Sequence, residues 1–233
     1  MLVLGVDTAT DCAVVGATAD GELVREASIA PGPDGRPRHT EVLLAEIERS
    51  VDSAGGWSQL DRIAVGIGPG SFTGLRIGIA TARALAQAQE LPLAPVGSLA
   101  ALARGISGAV EGGLALPVFD ARRSEAFAAL FEDGEEIWPP FVAAPEELAA
   151  RLGELDRTPL AAGSGALRFA AELEAAGATV APPEDPTHRV AARHVCAVGE
   201  AAVEAPTAQV QPLYLRPPDA KRWRERDRGV PGR

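Results

Sequence analysis

A single lysine, Lys221, stands among the 22 basic residues of this 233-residue chain. A phosphate loop of the G-x-x-x-x-G-K-[ST] kind needs a lysine behind its glycines, so that loop is excluded. Aromatic residues make up only 4% of the chain, so its cores must be aliphatic and alanine-rich. The two cysteines, Cys12 and Cys196, form neither a C-x-x-C pair nor a disulfide framework. They read as buried free thiols in a reducing compartment. The three histidines, His39, His188 and His194, show no metal-ligand spacing on one helix. A G-x-S-x-G nucleophile elbow is also missing. The most apolar helical stretch, 73–89, is interrupted by Arg76 and Arg83, too soon to span a bilayer. Met1 to Leu4 carries no basic n-region and runs straight to Asp7, as a strand does and a signal peptide does not. A formal charge of −10 disfavours unaided binding to a phosphate backbone. The expectation is a cytoplasmic protein with no membrane contact.

What the chain does have is an α/β pattern that occurs twice. Residues 2–6, 12–18 and 23–29 read as three strands, with Asp20-Gly21 as the hairpin turn between the last two. A proline- and glycine-rich loop at 31–38 leads to a helix from Thr40 to Ala54, with Leu44, Ile47 and Val51 on one face and Leu43 widening it. A strand at 61–67, a glycine loop, a helix at 73–89, a short strand at 93–96 and a helix at 98–104 follow. The apolar run Leu114–Phe119 then ends in Asp120 as the first strand ends in Asp7, 113 residues earlier. Asp133-Gly134 lies 113 residues after Asp20-Gly21. Two landmarks at one offset indicate a duplicated unit. Further helices are expected at 145–152, 166–176 and 190–203, with a strand at 160–162. The division is residues 1–105 for an N-terminal lobe, 113–213 for a C-terminal lobe, and 214–233 for a basic tail that either is solvated or is an arm for RNA or a partner.

Two stretches bear on chemistry. Asp7-Thr8-Ala9-Thr10 follows the first strand; it either orients a hydrated magnesium and nucleotide phosphates or simply caps a strand end, and four residues alone favour the cap. GIGPGSFTGLRIGIATARALA, at 66–86, opens like a phosphate loop but misses G-x-G-x-x-G. Backbone amides at the helix start remain a weaker anion site, and Ser71 or Thr73 could equally be an N-cap. In the helix, Gly74, Gly78, Ala82 and Ala86 recur every four residues. A mid-helix glycine costs about 1 kcal/mol relative to alanine, so close approach by another element is expected, either a partner helix or the chain's own sheet.

LGVDTAT, HTEVLLAEIE, GPGSFTGLRIG, FDARRSEAFAALF and PLYLR together resemble the TsaB (YeaZ) family, in order and over nearly the whole chain. The resemblance implies two duplicated ribonuclease-H-like lobes of the actin-like ATPase, sugar kinase and Hsp70 superfamily. It implies a non-catalytic dimerisation subunit that pairs with the catalytic subunit TsaD, alongside TsaE, to make N6-threonylcarbamoyladenosine at position 37 of tRNAs. tRNA would be met through the complex, and the chain in isolation could self-pair. No cofactor is required, although ATP or ADP at the subunit junction is compatible. Asp7, Thr8 and Thr10 would be a vestigial nucleotide site, with Ala9 where the superfamily usually has glycine. Carried over, the partner interface comprises His39, Leu43, Ile47, Gly74, Leu75, Arg76, Gly78, Ala82 and Arg83. Neither catalytic nor metal-binding residues are expected. The rival readings are an active ATPase or small-molecule kinase, with Asp7 and Asp120 as its carboxylates, and a metallopeptidase, for which no ligand cluster is present.

Overall fold

The computed structural model describes residues 1–109 and 113–216. The first sheet is built from β1 (Leu2–Asp7), β2 (Ala13–Ala19), β3 (Glu22–Ile29), β4 (Arg62–Gly68) and β5 (Leu93–Gly97), in the order β3-β2-β1-β4-β5. The second has β6 (Leu114–Asp120), β7 (Ala126–Glu132), β8 (Glu135–Ala143), β9 (Leu160–Ala162) and β10 (Thr179–Val180), in the order β10-β9-β6-β7-β8. Each sheet thus has an antiparallel three-strand meander followed by two parallel strands on the far side of its first strand. The duplication read from the Asp-Gly landmarks is therefore the duplication of a whole sheet.

The two hairpins repeat even in backbone detail. Asp20 and Gly21 have φ of 49° and 81°, and Asp133 and Gly134 have 49° and 88°. Both are the left-handed pair that a two-residue turn needs to match the strand twist.

The described residues also form seven α-helices: α1 (His39–Ser53), α2 (Phe72–Ala88), α3 (Ser98–Ser107), α4 (Pro145–Leu152), α5 (Ser164–Arg168), α6 (Ala170–Ala175) and α7 (Ala192–Ala201). They form layers. α1 and α2 cover one face of the first sheet, where Leu4, Val6, Leu43, Ile47, Leu75 and Ile79 share a core. α3 and α7 lie between the sheets, in a core that joins Val3, Val96, Leu99, Ile106, Phe119 and Cys196. The remaining helices cover the outer face of the second sheet, around Leu116, Leu130, Leu148 and Leu173. Both central strands are apolar up to their terminal aspartates because both of their faces are covered.

Three expectations are corrected. The stretch 166–176 is not one helix but two short ones that meet at Phe169, whose φ of −112° breaks the run. On α1, Leu43, Ile47 and Val51 point inward at four-residue spacing, which turns Leu44 outward at 58% exposure. The lobe drawn as 113–213 also ends earlier in space: α7 packs on β1 and β2, Ala205 bridges Leu93, and the Leu213 amide donates to the Ile67 carbonyl at 2.8 Å. The chain returns to its first sheet before it ends.

Candidate functional site

The end of β1 buries its polar side chains instead of presenting them. Asp7 is 2% exposed. Its Oδ1 accepts the Ala9 amide at 2.7 Å and its Oδ2 accepts the Ser98 hydroxyl at 2.5 Å. Ser98 Oγ in turn accepts the Gly68 amide at 3.2 Å. One hydrogen-bond chain therefore ties the ends of β1 and β4 to the start of α3. Burial pushes the Asp7 carboxyl above the usual carboxylate range, while the bonds from Ser98 and Ala9 pull it back. Thr8 is fully buried, and its hydroxyl donates to the Gly74 carbonyl at 2.8 Å.

The glycines of 66–86 serve the same strand end. A Cβ at Gly66 would overlap the Asp7 carboxylate, one at Gly70 the Ala9 carbonyl, one at Gly74 the Thr8 carbonyl and one at Gly78 the Thr8 hydroxyl. This corrects the interface assignment of the ridge. Gly74, Leu75, Gly78 and Ala82 are buried against the chain's own sheet, as are Leu43 and Ile47 of α1. Ser71 is the N-cap of α2, its Oγ accepting the Gly74 amide at 3.3 Å. Arg76 is exposed and Arg83 half-buried. The side chain of His39 lies outside the described residues.

Between the lobes lies a cleft of about 820 Å³, with Thr10, Cys12 and Thr73 on one side and Phe119, Asp120 and Arg122 on the other. Asp7 and Thr8 do not line it, so the strand-end triplet is split: Thr10 faces the cleft and donates to the Cys12 carbonyl at 2.8 Å. Asp120 is already engaged. Both its oxygens lie 2.8 Å from Arg168 Nη1, and Oδ1 accepts the Arg122 amide at 2.8 Å. Arg122 itself reaches across the cleft to Asp11 at 2.9 Å. These residues do not fit a magnesium nucleotide: one carboxylate is sealed behind Ser98 and the other is neutralised by arginine.

The other reactive side chains are similarly committed. His188 accepts the Gly163 amide on Nδ1 at 3.0 Å, which leaves Nε2 to donate to the Ala181 and Pro182 carbonyls, each at 3.0 Å. Ser164 is the first residue of α5, and its Oγ accepts the Asp120 amide at 3.1 Å. Cys196 is buried as expected, and burial pushes its thiol up to about 12. Cys12 is only half-buried, a correction, and burial raises its thiol despite the nearby Arg189. Among the described residues, no three His, Cys, Asp or Glu side chains come together as a metal-ligand set. No described helix is long and apolar enough to cross a membrane.

What α2 exposes is a different stripe from the glycine ridge. Thr73, Ala80, Ala84 and Ala88 are exposed and Ile77 is half-buried, at helical spacing along its outer side. Leu44 and Ala45 are exposed on the neighbouring α1. Sequence reasoning missed this stripe, and it missed Ser98, Arg122 and Arg168 as partners of the two carboxylates. The run Ala121-Arg122-Arg123 beside Asp120 was the only signal available for the second pair.

Residues 33–209 match the family described as TsaD: tRNA N6-adenosine threonylcarbamoyltransferase. An uncharacterized protein of Mycobacterium tuberculosis is 35% identical over 221 residues, covering 94% of this chain and 93% of that one. A Mycobacterium leprae relative is also 35% identical, and this chain spans 56% of its length. The tRNA threonylcarbamoyladenosine biosynthesis protein TsaB of Escherichia coli is 32% identical over 174 residues, covering 71% of this chain and 72% of that protein. Among solved structures, YeaZ from Pseudomonas aeruginosa superposes with a TM-score of 0.72 at 26% identity, over 92% of this chain and 99% of that one. A ROK hexokinase from Thermus thermophilus, at 14% identity and a TM-score of 0.52 over 86% of this chain and 98% of that one, shares the fold alone. The two duplicated lobes are those of the actin-like ATPase and sugar kinase fold. The chain belongs to the TsaB (YeaZ) family.

Proposed function

We propose that this chain is a non-catalytic pairing subunit for the N6-threonylcarbamoylation of adenosine in tRNA, and that it holds a TsaD-type catalytic subunit on the outer face of α1 and α2. The observation that carries the reading is the fate of the two strand-end carboxylates. A phosphoryl-transfer enzyme of this fold needs them free to orient a metal and phosphates. Here Asp7 is closed in by Ser98 and Gly66, and Asp120 is held by Arg168. The fold is kept while its polar strand ends are used for packing. The outer stripe of Thr73, Ile77, Ala80 and Ala84, with Leu44 beside it, presents small and apolar side chains that let a partner helix come close.

In this reading the chain needs no cofactor of its own. An adenine nucleotide belongs to the junction with the partner rather than to Asp7 and Thr8. TsaE and tRNA join through the assembled complex, the setting is cytoplasmic, and self-pairing in isolation uses the same face. The test is co-purification with the TsaD-type protein of the same organism, paired with an ATPase assay on the chain alone. A stable complex and negligible turnover support the reading. Steady turnover abolished by Asp120→Asn would overturn it in favour of an active ATPase.

A further inference from the structure

Residues 213–216 run along one wall of the cleft and are held to a different lobe at each end. At the first-lobe end, the Leu213 amide donates to the Ile67 carbonyl near the end of β4, and the Tyr214 ring stacks on Phe72 with centroids 5.2 Å apart and planes at 28°. Arg76 closes this cluster. Its Nε donates to the Tyr214 hydroxyl at 3.2 Å, and its guanidinium lies 3.9 Å from the Phe72 centroid. At the second-lobe end, Arg216 Nη1 donates to the Ala121 carbonyl at 2.9 Å and Nη2 to the Arg122 carbonyl at 3.4 Å. The same guanidinium pairs with Glu125 and lies 5.8 Å from the Phe127 centroid.

The loop that Arg216 grips is strained. Arg122, Arg123 and Ser124 are three consecutive non-glycine residues with φ of 63°, 53° and 57°. Left-handed backbone is strained for such residues, and it persists only where its surroundings over-determine it. Four sets of contacts do so here: the Ala121 amide on the Glu125 carbonyl, the Glu125 amide on the Arg122 carbonyl, the Arg122 amide on Asp120, and the Arg216 guanidinium on the Ala121 and Arg122 carbonyls. The Arg122 side chain, projecting from this loop, makes the bond across the cleft to Asp11.

We propose that residues 213–216 are a releasable strap that sets the width of the inter-lobe cleft, with Arg216 as its second-lobe anchor. The strap is attached mostly by side chains. Among the described residues, its backbone bonds are that of the Leu213 amide to the Ile67 carbonyl and the local one of the Tyr214 amide to the Pro212 carbonyl. It can therefore let go without unfolding either sheet. Letting go removes two acceptor contacts from the strained loop, frees Arg122 to leave Asp11, and takes away one wall of the cleft. Restraint by the strap does not depend on the pairing role proposed above.

The experiment is done on the full chain. Hydrogen exchange on the unmodified protein reads release directly. The Leu213 amide is expected to exchange at least tenfold faster than the Val65 amide in β4, because it opens locally. Equal rates would mean that the strap melts only with the core, and would overturn the proposal. Spin labels at Glu48→Cys on α1 and Glu172→Cys on α6, in a Cys12→Ser background, then report the distance between lobes. One narrow distance is expected for the parent and a broader, longer distribution for Arg216→Ala, with far-UV circular dichroism unchanged. Arg216→Lys keeps the charge but loses the two-carbonyl fork, and an intermediate distribution is expected. Distance distributions that do not change in either variant would overturn the strap as the element that sets the width.

Discussion

Thr8 sits directly over Gly78: its hydroxyl donates to the Gly74 carbonyl at 2.8 Å, and it fills the space a Cβ at position 78 would take. Helix propensity and packing therefore pull in opposite directions at this position. Alanine would gain about 1 kcal/mol of propensity. It would also be driven into a buried hydroxyl that has no room to turn, and overpacking of this kind costs about 1–3 kcal/mol. Gly78→Ala is expected to lower the melting temperature, and Gly78→Leu to prevent folding. In a Thr8→Ala background the Gly78→Ala change should cost much less, since the overlapping oxygen is gone. A thermal-melt double-mutant cycle checks this, and strict additivity would show that the two residues do not meet.

The buried carboxyl of Asp7 gives a pH dependence whose sign can be worked out. Its folded pKa is raised above the unfolded value, chiefly by burial. Ionisation is thus easier in the unfolded chain. The stability Asp7 contributes is complete below the unfolded carboxylate value and is lost as pH rises through the folded one. Asp7→Asn keeps an acceptor for the Ala9 amide and removes that loss. Urea titrations from pH 4 to 8 should show the stability of the parent falling relative to Asp7→Asn as pH rises. Ser98→Ala, which removes the bond that favours the carboxylate, should steepen the fall. A pH-independent difference between parent and Asp7→Asn would show that Asp7 is not titrating in this window.

The thiols offer a test of burial. Cys196 sits under Gly5, between α7 and β1, where its Sγ lies 3.5 Å from the Val3 carbonyl. Cys12 is half-buried on the cleft wall. Thiolate, not thiol, is the attacking species, and a thiol held at about 12 is almost wholly protonated at neutral pH. In the native protein, labelling with an aromatic disulfide should modify Cys12 alone and slowly. Cys196 should react only in denaturant. Two fast equivalents without denaturant would contradict the packing of α7.

The sequence made the repeated sheet legible because turn chemistry is local. Asp20-Gly21 and Asp133-Gly134 can do little else between two apolar runs, and their common offset carried the duplication. The ridge of Gly74, Gly78, Ala82 and Ala86 showed with equal clarity that something comes close to α2. It could not show what, since close approach to a partner helix and to the chain's own β1 ask for the same small residues. The sequence also placed Asp7 and Asp120 at strand ends but could not show their partners. Ser98 lies 91 residues from Asp7, and Arg168 lies 48 from Asp120, so only the fold brings them together. The same holds for Tyr214 and Arg216, whose grip on Phe72 and on the Ala121 carbonyl has no local signature.

The outer face of α1 and α2 is where pairing and folding can be separated. Ala84 is exposed on α2, and Leu44 is 58% exposed on α1. Substitutions at such positions usually change folding stability by no more than about 0.5 kcal/mol. If a partner helix lies along this face, Ala84→Arg inserts a long charged side chain where only a methyl fits, and Leu44→Asp buries a carboxylate without a counter-ion. Each is expected to weaken binding to the TsaD-type subunit by more than tenfold, which is about 1.4 kcal/mol or more. Melting of the isolated chain should hardly change. Arg83→Ala, at the edge of the same face, should weaken binding less, as rim positions usually do. Binding measured by calorimetry and folding measured by circular dichroism decide the matter together. Unchanged affinity for both Ala84→Arg and Leu44→Asp, with normal melts, would move the pairing surface elsewhere on the molecule.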